Sequence, residues 1–227
     1  MAMDERTRAE EHLRVIRSLL ERVTVYRAIS APTALVGGVA SLIVAIWMLW
    51  RTGFIGSGET DVALTARDFI TPWLLPLVLT GFANTFFIWR EARRDQRPFL
   101  SAGLRLALRS LLPAMLIGAA ITYVAWRNPT HLDGPVVVAL SWISFYGLAL
   151  LATMNFAPRS LSILGWSFVI TAVVWLLLLS APTLPAVEVL HGQSGANLAM
   201  GLTFGVYHLL YVVCILSGGT GKTRALE

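Results

Sequence analysis

A histidine stands in the middle of an apolar run near the C-terminal end of the sequence. The run GLTFGVYHLLYVVCI, residues 201–215, carries His208 directly after Tyr207 and three residues before Tyr211. A neutral imidazole can donate one hydrogen bond and accept another, and ionisable groups within membranes are often functional. Three hypotheses follow for His208. It joins its helix to a neighbouring helix by a hydrogen bond to Asn84, a hydroxyl or a carbonyl, it handles a ligand or proton in a cavity, or it ligates a haem or metal ion.

Other features of the sequence speak against a cofactor. A bis-histidine haem site needs a second histidine at membrane depth, and the apolar runs contain none besides His208. The single cysteine, Cys214, excludes a disulfide framework and a cysteine-based zinc site. The segment SGGTGKT at 217–223 resembles a phosphate-binding loop, but Leu216 occupies the position of that motif's first glycine. We therefore expect no cofactor and no metal ion.

Neutral polar side chains lie within several of the apolar runs. These candidate cavity residues are Thr80, Asn84, Ser167, Thr171, Thr203, Tyr207 and Tyr211, together with His208. Polar side chains in hydrocarbon need partners, so we expect them to face the interior of a helical bundle. Gly201 and Gly205 form a GxxxG pattern, which predicts close helix packing that brings a neighbour's backbone to the imidazole.

Charged residues are absent from the central part of every long apolar run, apart from arginines near the ends. Proton- or sodium-coupled carriers usually place an ionisable group or unwound backbone at the midplane, so ion coupling is disfavoured. One histidine, one cysteine and scattered hydroxyls also supply no acid–base pair or activated nucleophile at that depth. We expect the protein not to be an enzyme.

The elements that must position these residues are membrane helices. The sequence is 56% hydrophobic and only 14% charged, which is unusual for a soluble domain. Six apolar runs reach the roughly 20 residues that cross a bilayer core. They lie near Ile29–Trp50, Ile70–Trp89, Ala107–Trp126, Val136–Met154, Leu161–Ser180 and Asn197–Leu216. None alternates as a barrel strand does, so the predicted fold is all-α, a polytopic membrane protein with a six-transmembrane-helix bundle.

Basic residues predict the orientation of this bundle. With six spans, 15 of the 18 Lys and Arg residues fall on one side of the membrane. Twelve of them lie before the first span or between the second and third spans, and only Arg51, Arg67 and Arg127 fall on the opposite side. Positive loops stay in the cytoplasm, so we expect a multi-pass protein of the cell inner membrane with both termini cytoplasmic.

The N-terminal segment is predicted to be an amphipathic helix outside the bilayer. In DERTRAEEHLRVIRSLLERVTVYR, residues 4–27, Leu13, Ile16, Leu20 and Val23 share one helical face. One interpretation is that this apolar face lies in the membrane interface or packs beneath the bundle. The other is that it docks a partner protein or a second copy of the chain.

These observations predict a domain order and two classes of function. Residues 1–28 form the cytoplasmic helix, 29–217 the six-helix transmembrane domain and 218–227 a short cytoplasmic tail. The leading hypothesis is a non-enzymatic sensor, regulator or assembly partner that acts through its N-terminal helix and the basic loop between spans two and three. The alternative is a channel or uncoupled carrier for a small neutral or apolar solute. The expected partners are the lipid bilayer and either a second copy or a membrane or cytoplasmic protein, and not nucleic acid, because the arginines border apolar segments.

Overall fold

The computed structural model describes residues 7, 8, 10–16, 31–54, 65–96, 98–100, 102–128, 134–154, 157–180, 190 and 192–223. These residues form helices and no strand. Within them, six helical stretches are long and apolar enough to cross a membrane. The predicted all-α, six-span bundle is therefore confirmed.

Each of the first five spans is one helix, and the sixth changes its winding. The spans are α1 (Ala31–Arg51), α2 (Ala66–Arg94), α3 (Ala102–Arg127), α4 (Gly134–Ala152), α5 (Arg159–Leu179), and a sixth composed of α6 (Gly192–Met200), a π-helical stretch (Gly201–Tyr207) and α7 (His208–Thr223). α2 extends beyond the predicted apolar run at both ends, because a helix can continue through polar residues once it has left the hydrocarbon.

Local hydrogen bonds fix where α2 begins and ends. The backbone N–H and the hydroxyl of Thr65 both donate to Oδ2 of Asp68, each over 2.8 Å. This acidic residue in the first turn also suits the positive end of the helix dipole. At the other end, the N–H of Asp95 donates to the carbonyl of Glu91 over 2.9 Å, and Gln96 follows with φ 54°. The left-handed conformation of Gln96 ends the helix.

Contacts at the helix ends show that two pairs of neighbouring spans are antiparallel. The hydroxyl of Ser194, at the start of α6, donates to Oγ1 of Thr52, just after α1, over 3.1 Å. Nε of Arg67, at the start of α2, donates to the carbonyl of Trp126, at the end of α3, over 2.7 Å. The end of the first span therefore lies beside the start of the sixth, and the end of the third lies beside the start of the second.

Glycines allow two pairs of helices to approach closely. A Cβ atom built on Gly147 of α4 would lie 3.0 Å from the carbonyl oxygen of Gly165 on α5. A Cβ on Gly201 would lie 2.8 Å from that of Ala45, and one on Gly205 only 2.6 Å from Cδ2 of Leu42. The predicted close packing at the GxxxG pattern therefore occurs, and the helix that it contacts is α1.

Two of the spans are peripheral. The buried residues of α2, from Ala66 to Pro76, all lie in the first half of the helix. The second half exposes large apolar side chains such as Phe82, and α3 exposes Leu112 and Leu116. Because hydrocarbon can cover such side chains, α2 and α3 form a lipid-facing edge of the bundle, where the spans are least buried.

The N-terminal segment is helical over residues 10–16. Within it, Leu13 is 65% exposed and Ile16 is 52% exposed, so the described part of the chain does not cover this face. Leu20 and Val23 lie outside the described residues. What covers the face, whether lipid, bundle or partner, stays a prediction.

Candidate functional site

His208 is buried, and its two ring nitrogens contact two different partners. Nε2 lies 2.9 Å from the hydroxyl oxygen of Tyr146 on α4. Nδ1 lies 3.4 Å from the carbonyl oxygen of Thr203, in the π-helical stretch of the same span. A carbonyl can only accept, so these partners assign the proton to Nδ1 and leave Nε2 to accept from Tyr146. Of the partners considered from the sequence, the one on a neighbouring helix is a hydroxyl, that of Tyr146, and not Asn84. The carbonyl partner belongs to the same span as His208.

Aromatic rings surround this pair. The imidazole is nearly parallel to the ring of Phe204, with centroids 6.1 Å apart and an interplanar angle of 11°. The ring of Phe168 meets the imidazole edge-on at 5.6 Å, and its centroid is 4.9 Å from that of Tyr146. Packing of this kind limits rotation of both polar side chains, so their hydrogen bond has a fixed direction.

Tyr207 makes a separate hydrogen bond to α5. Its hydroxyl lies 2.8 Å from Oγ1 of Thr171, and Thr171 itself donates to the carbonyl of Ser167 over 2.8 Å. Tyr207 is therefore the donor to Thr171. Ser167 donates to the carbonyl of Ile163 in its own helix over 2.9 Å. The Tyr207–Thr171 bond therefore joins α5 to the sixth span, and none of these three candidate residues lines the cavity described below.

A cavity of about 590 Å³ lies between α1, α2, α3, α4 and the sixth span. It is lined by Gly37, Ser41, Ile70, Trp73, Leu74, Pro76, Leu77, Thr80, Met115, Gly118, Ala119, Thr122, Tyr123, Trp126, Trp142, Phe145, Tyr146, Met200, Phe204 and His208. Two of the eight residues proposed from the sequence, His208 and Thr80, belong to this wall. Thr203 and Tyr211 are buried outside it, and Asn84 is half-buried on α2, one turn beyond Thr80.

The cavity opens sideways, between α2 and α3. The exposed residues of its lining all belong to these two helices, and they are Leu74, Leu77, Met115, Ala119 and Tyr123. The opposite wall is formed by buried residues, among them Met200 and His208. Since α2 and α3 form the lipid-facing edge of the bundle, the opening faces hydrocarbon.

One end of the opening is closed by an arginine. The Arg67 side chain that donates to the Trp126 carbonyl also lies over the Trp126 indole, with Cζ 5.8 Å from the ring centroid. This cation–π contact and the hydrogen bond hold the start of α2 to the end of α3. The two helices are therefore joined at this end, and the opening lies further along them.

The polar groups of the wall are few and uncharged. Nε1 of Trp73 donates to Oδ1 of the fully buried Asn197 over 2.8 Å, and Nε1 of Trp142 donates to Oγ1 of Thr122 over 2.6 Å. None of the lining residues is Asp, Glu, Lys or Arg. Among the residues that the structure describes, no three His, Cys, Asp or Glu side chains group as metal ligands. Such a wall suits a neutral apolar molecule held by a small number of hydrogen bonds.

Tyr146 and the indoles of Trp73 and Trp142 were not among the candidate residues predicted from the sequence. Each is a polar group within an apolar run, which is the same signal that singled out His208. The π-helical stretch was also missed. Irregular turns of this kind often occur at functional sites, and this one ends directly before His208.

No protein-family model, no curated protein and no solved structure matches this chain. The cavity itself therefore carries the functional interpretation. Its defining properties are its size, its uncharged aromatic wall and its opening toward lipid.

Proposed function

We propose that the protein binds a small, uncharged, lipophilic molecule in this cavity and acts as a non-enzymatic membrane sensor or regulator. The observation that carries the proposal is the lateral opening between α2 and α3. A ligand dissolved in the bilayer reaches the cavity through this opening without crossing water. We also propose that the membrane is the inner membrane of a cell and that both termini are cytoplasmic, because 15 of the 18 basic residues fall on that side.

The dimensions and chemistry of the cavity support a small-molecule ligand. Its volume of about 590 Å³ lies within the roughly 300–1,000 Å³ of known ligand pockets. Aromatic rings and aliphatic side chains dominate the wall, so burial of an apolar ligand is favourable. A charged ligand would lose its hydration without gaining a countercharge, which disfavours it strongly.

In this proposal, α2 links ligand binding in the cavity to the surface that contacts a partner protein. Leu77 and Thr80 contact the cavity, and the same helix continues to Arg90 and Arg93. A ligand between α2 and α3 changes the spacing of these helices, and the arginines near their adjoining ends follow that spacing. The structure places Arg90, Arg93 and Arg94 in α2 and Arg105 and Arg109 in α3, where the sequence predicts a basic loop. The N-terminal helix and these arginine-bearing helix ends are the surfaces that we propose for contact with a partner protein.

An uncoupled carrier is the second candidate. The observation that favours it is the absence of charge from a cavity within the membrane, since a neutral solute needs no coupling ion. A carrier must also expose the cavity to both sides in turn. Flux of the probe across proteoliposomes would therefore distinguish a carrier from a sensor, which binds without transport.

Gly118 and Gly81 provide a matched test of binding. Gly118 lines the cavity, and a Cβ built there meets only Phe145, at 3.8 Å or more, so Gly118→Leu adds a side chain to the cavity. Gly81 has no atom within 4 Å of its Cβ position and lies outside the lining, so Gly81→Leu makes the same change on the lipid-facing surface.

The probe is tritiated 4-nonylanisole, an uncharged aromatic ether, added to the full chain in lipid nanodiscs. We expect saturable binding above that of empty nanodiscs, at one molecule per chain. Gly118→Leu should lose this binding and Gly81→Leu should retain it. Equal binding by both variants, or no saturable binding by the parent, would refute the proposal.

A further inference from the structure

We propose that the ligand of this cavity is a hydrogen-bond donor, an uncharged lipophilic alcohol or phenol whose hydroxyl donates to the oxygen of Tyr146. This inference rests on the proposed function, because it names the class of molecule that the same cavity binds. It follows from where the polar hydrogens of the wall are directed.

Most polar hydrogens of the wall are already donated within the protein. Trp73 donates to Asn197 over 2.8 Å, Trp142 to Thr122 over 2.6 Å, Thr122 to the carbonyl of Gly118 over 2.8 Å, and Thr80 to the carbonyl of Pro76 over 2.6 Å. Each of these hydroxyl hydrogens and indole N–H groups is therefore occupied. What the two threonines still offer to a ligand is the lone pairs of their oxygens.

The Tyr146–His208 pair follows the same pattern. The Nδ1 proton of His208 is directed at the Thr203 carbonyl, so Nε2 accepts the hydrogen of Tyr146 over 2.9 Å. Once its hydrogen is donated, the Tyr146 oxygen can still accept a bond. Tyr146 and His208 both line the cavity, and rings of Phe168 and Phe204 pack around them. In such apolar surroundings an incoming donor finds an acceptor with little competition from water.

This acceptor surface selects among uncharged ligands. A ketone or ether has only acceptor lone pairs, and it would meet a wall that also offers lone pairs. A hydroxyl group donates the hydrogen that this wall lacks. Three further donors belong to the wall. The hydroxyl of Ser41 is on α1, and the hydroxyl of Tyr123 and the indole N–H of Trp126 are on α3. The Tyr123 side chain is 65% exposed, so it contacts molecules that enter rather than the deeper Tyr146–His208 pair.

The test compares three tritiated probes of nearly equal shape in nanodiscs: 4-nonylphenol, its methyl ether 4-nonylanisole, and the ketone 4-nonylacetophenone. One additional hydrogen bond corresponds to roughly a three- to tenfold change in affinity. The phenol should therefore bind the parent protein about three- to tenfold more tightly than the ether or the ketone, after partitioning into empty nanodiscs is subtracted.

Two variants report on the acceptor itself. His208→Leu releases the hydrogen of Tyr146, so the ketone should gain about three- to tenfold in affinity relative to the phenol. Tyr146→Phe combined with His208→Leu removes both groups and should abolish discrimination among the probes. Tyr207→Phe removes a hydroxyl that contacts Thr171 outside the cavity and should leave the order unchanged.

The outcomes of this test distinguish failure of the donor assignment from failure of the proposed binding function. Saturable binding of all three probes with equal affinity would overturn the donor assignment and leave the binding function standing. Tighter binding of the ketone by the parent would show that the wall donates, which also overturns it. Failure of every probe to bind saturably would refute the proposed function itself.

Discussion

The imidazole of His208 and the phenol of Tyr146 join two helices through a 2.9 Å hydrogen bond between residues 62 positions apart. Both side chains also line the cavity that opens between α2 and α3. The pair therefore belongs to the packing of the bundle and to the candidate binding wall at the same time. A structural role and a ligand-binding role, which the sequence presents as alternatives for His208, are compatible in this geometry.

The structural role of the hydrogen bond predicts that substitutions of His208 and Tyr146 are coupled in their effects on the free energy of unfolding. His208→Leu leaves the Tyr146 hydroxyl without its acceptor and should lower the free energy of unfolding by about 1 kcal/mol. His208→Gln keeps an acceptor and should cost less. A double-mutant cycle with Tyr146→Phe should give a coupling of about 0.6 to 1.7 kcal/mol, measured by unfolding in SDS. Additive single effects would mean that the hydrogen bond contributes nothing to stability.

The close contact between the sixth span and α1 predicts that one added methyl group at Gly205 lowers the stability of the protein. Gly205→Ala places a Cβ 2.6 Å from Leu42 Cδ2, and this overpacking should cost about 1–3 kcal/mol. Gly81→Ala is the control, because its Cβ meets no atom within 4 Å. The melting temperature in detergent should fall for the first variant and not for the second. An unchanged melting temperature for Gly205→Ala would argue against close packing at this glycine.

The proposed orientation is testable with single cysteines. Cys214 is exposed, so the background carries Cys214→Ser. Gly58→Cys, in the loop between the first two spans, should react with a membrane-impermeant thiol reagent in intact cells. Gln96→Cys, just after α2, should react only after the cells are opened. The reverse pattern would invert the proposed topology.

The N-terminal helix is predicted to matter for assembly and not for insertion. Leu13 and Ile16 are exposed in the structure, so their apolar face is available for a partner or for lipid. Deletion of residues 4–24 should leave the six spans inserted and weaken the oligomer or partner complex in size-exclusion chromatography. A truncated protein with unchanged assembly would favour the interfacial interpretation of this helix.

The six spans could be read from the sequence because bilayer thickness sets the length of an apolar run independently of tertiary contacts. The described helices accordingly match the predicted runs to within one or two residues or contain them whole, as when Ala66–Arg94 contains Ile70–Trp89. The polar extensions of α2 were not predicted. They depend on the Thr65–Asp68 cap and on the conformation of Gln96, which apolar content does not encode.

The site was predictable only in part. His208 and Thr80 were found because polar atoms in hydrocarbon are conspicuous in a sequence. Their placement on one wall depends on the separation of α2 from α3, which is a property of packing between distant segments. Ser167 and Thr171 carry the same local signal and yet bond within α5 and to Tyr207. Depth in the membrane and residue type alone do not distinguish the residues that line the cavity from those that bond elsewhere.

The π-helical stretch from Gly201 to Tyr207 constrains the length of the chain as well as its winding. Asn197 precedes it and accepts from Trp73, while His208 follows it and contacts Tyr146. Because each residue of an α-helix adds about 100° of rotation, a one-residue deletion here would restore an uninterrupted α-helix and turn one of these residues away from its partner. Insertions and deletions between positions 197 and 208 therefore separate the two ends of the cavity wall, whichever amino acids they involve. The two contacts therefore fix the number of residues in this segment as well as their types.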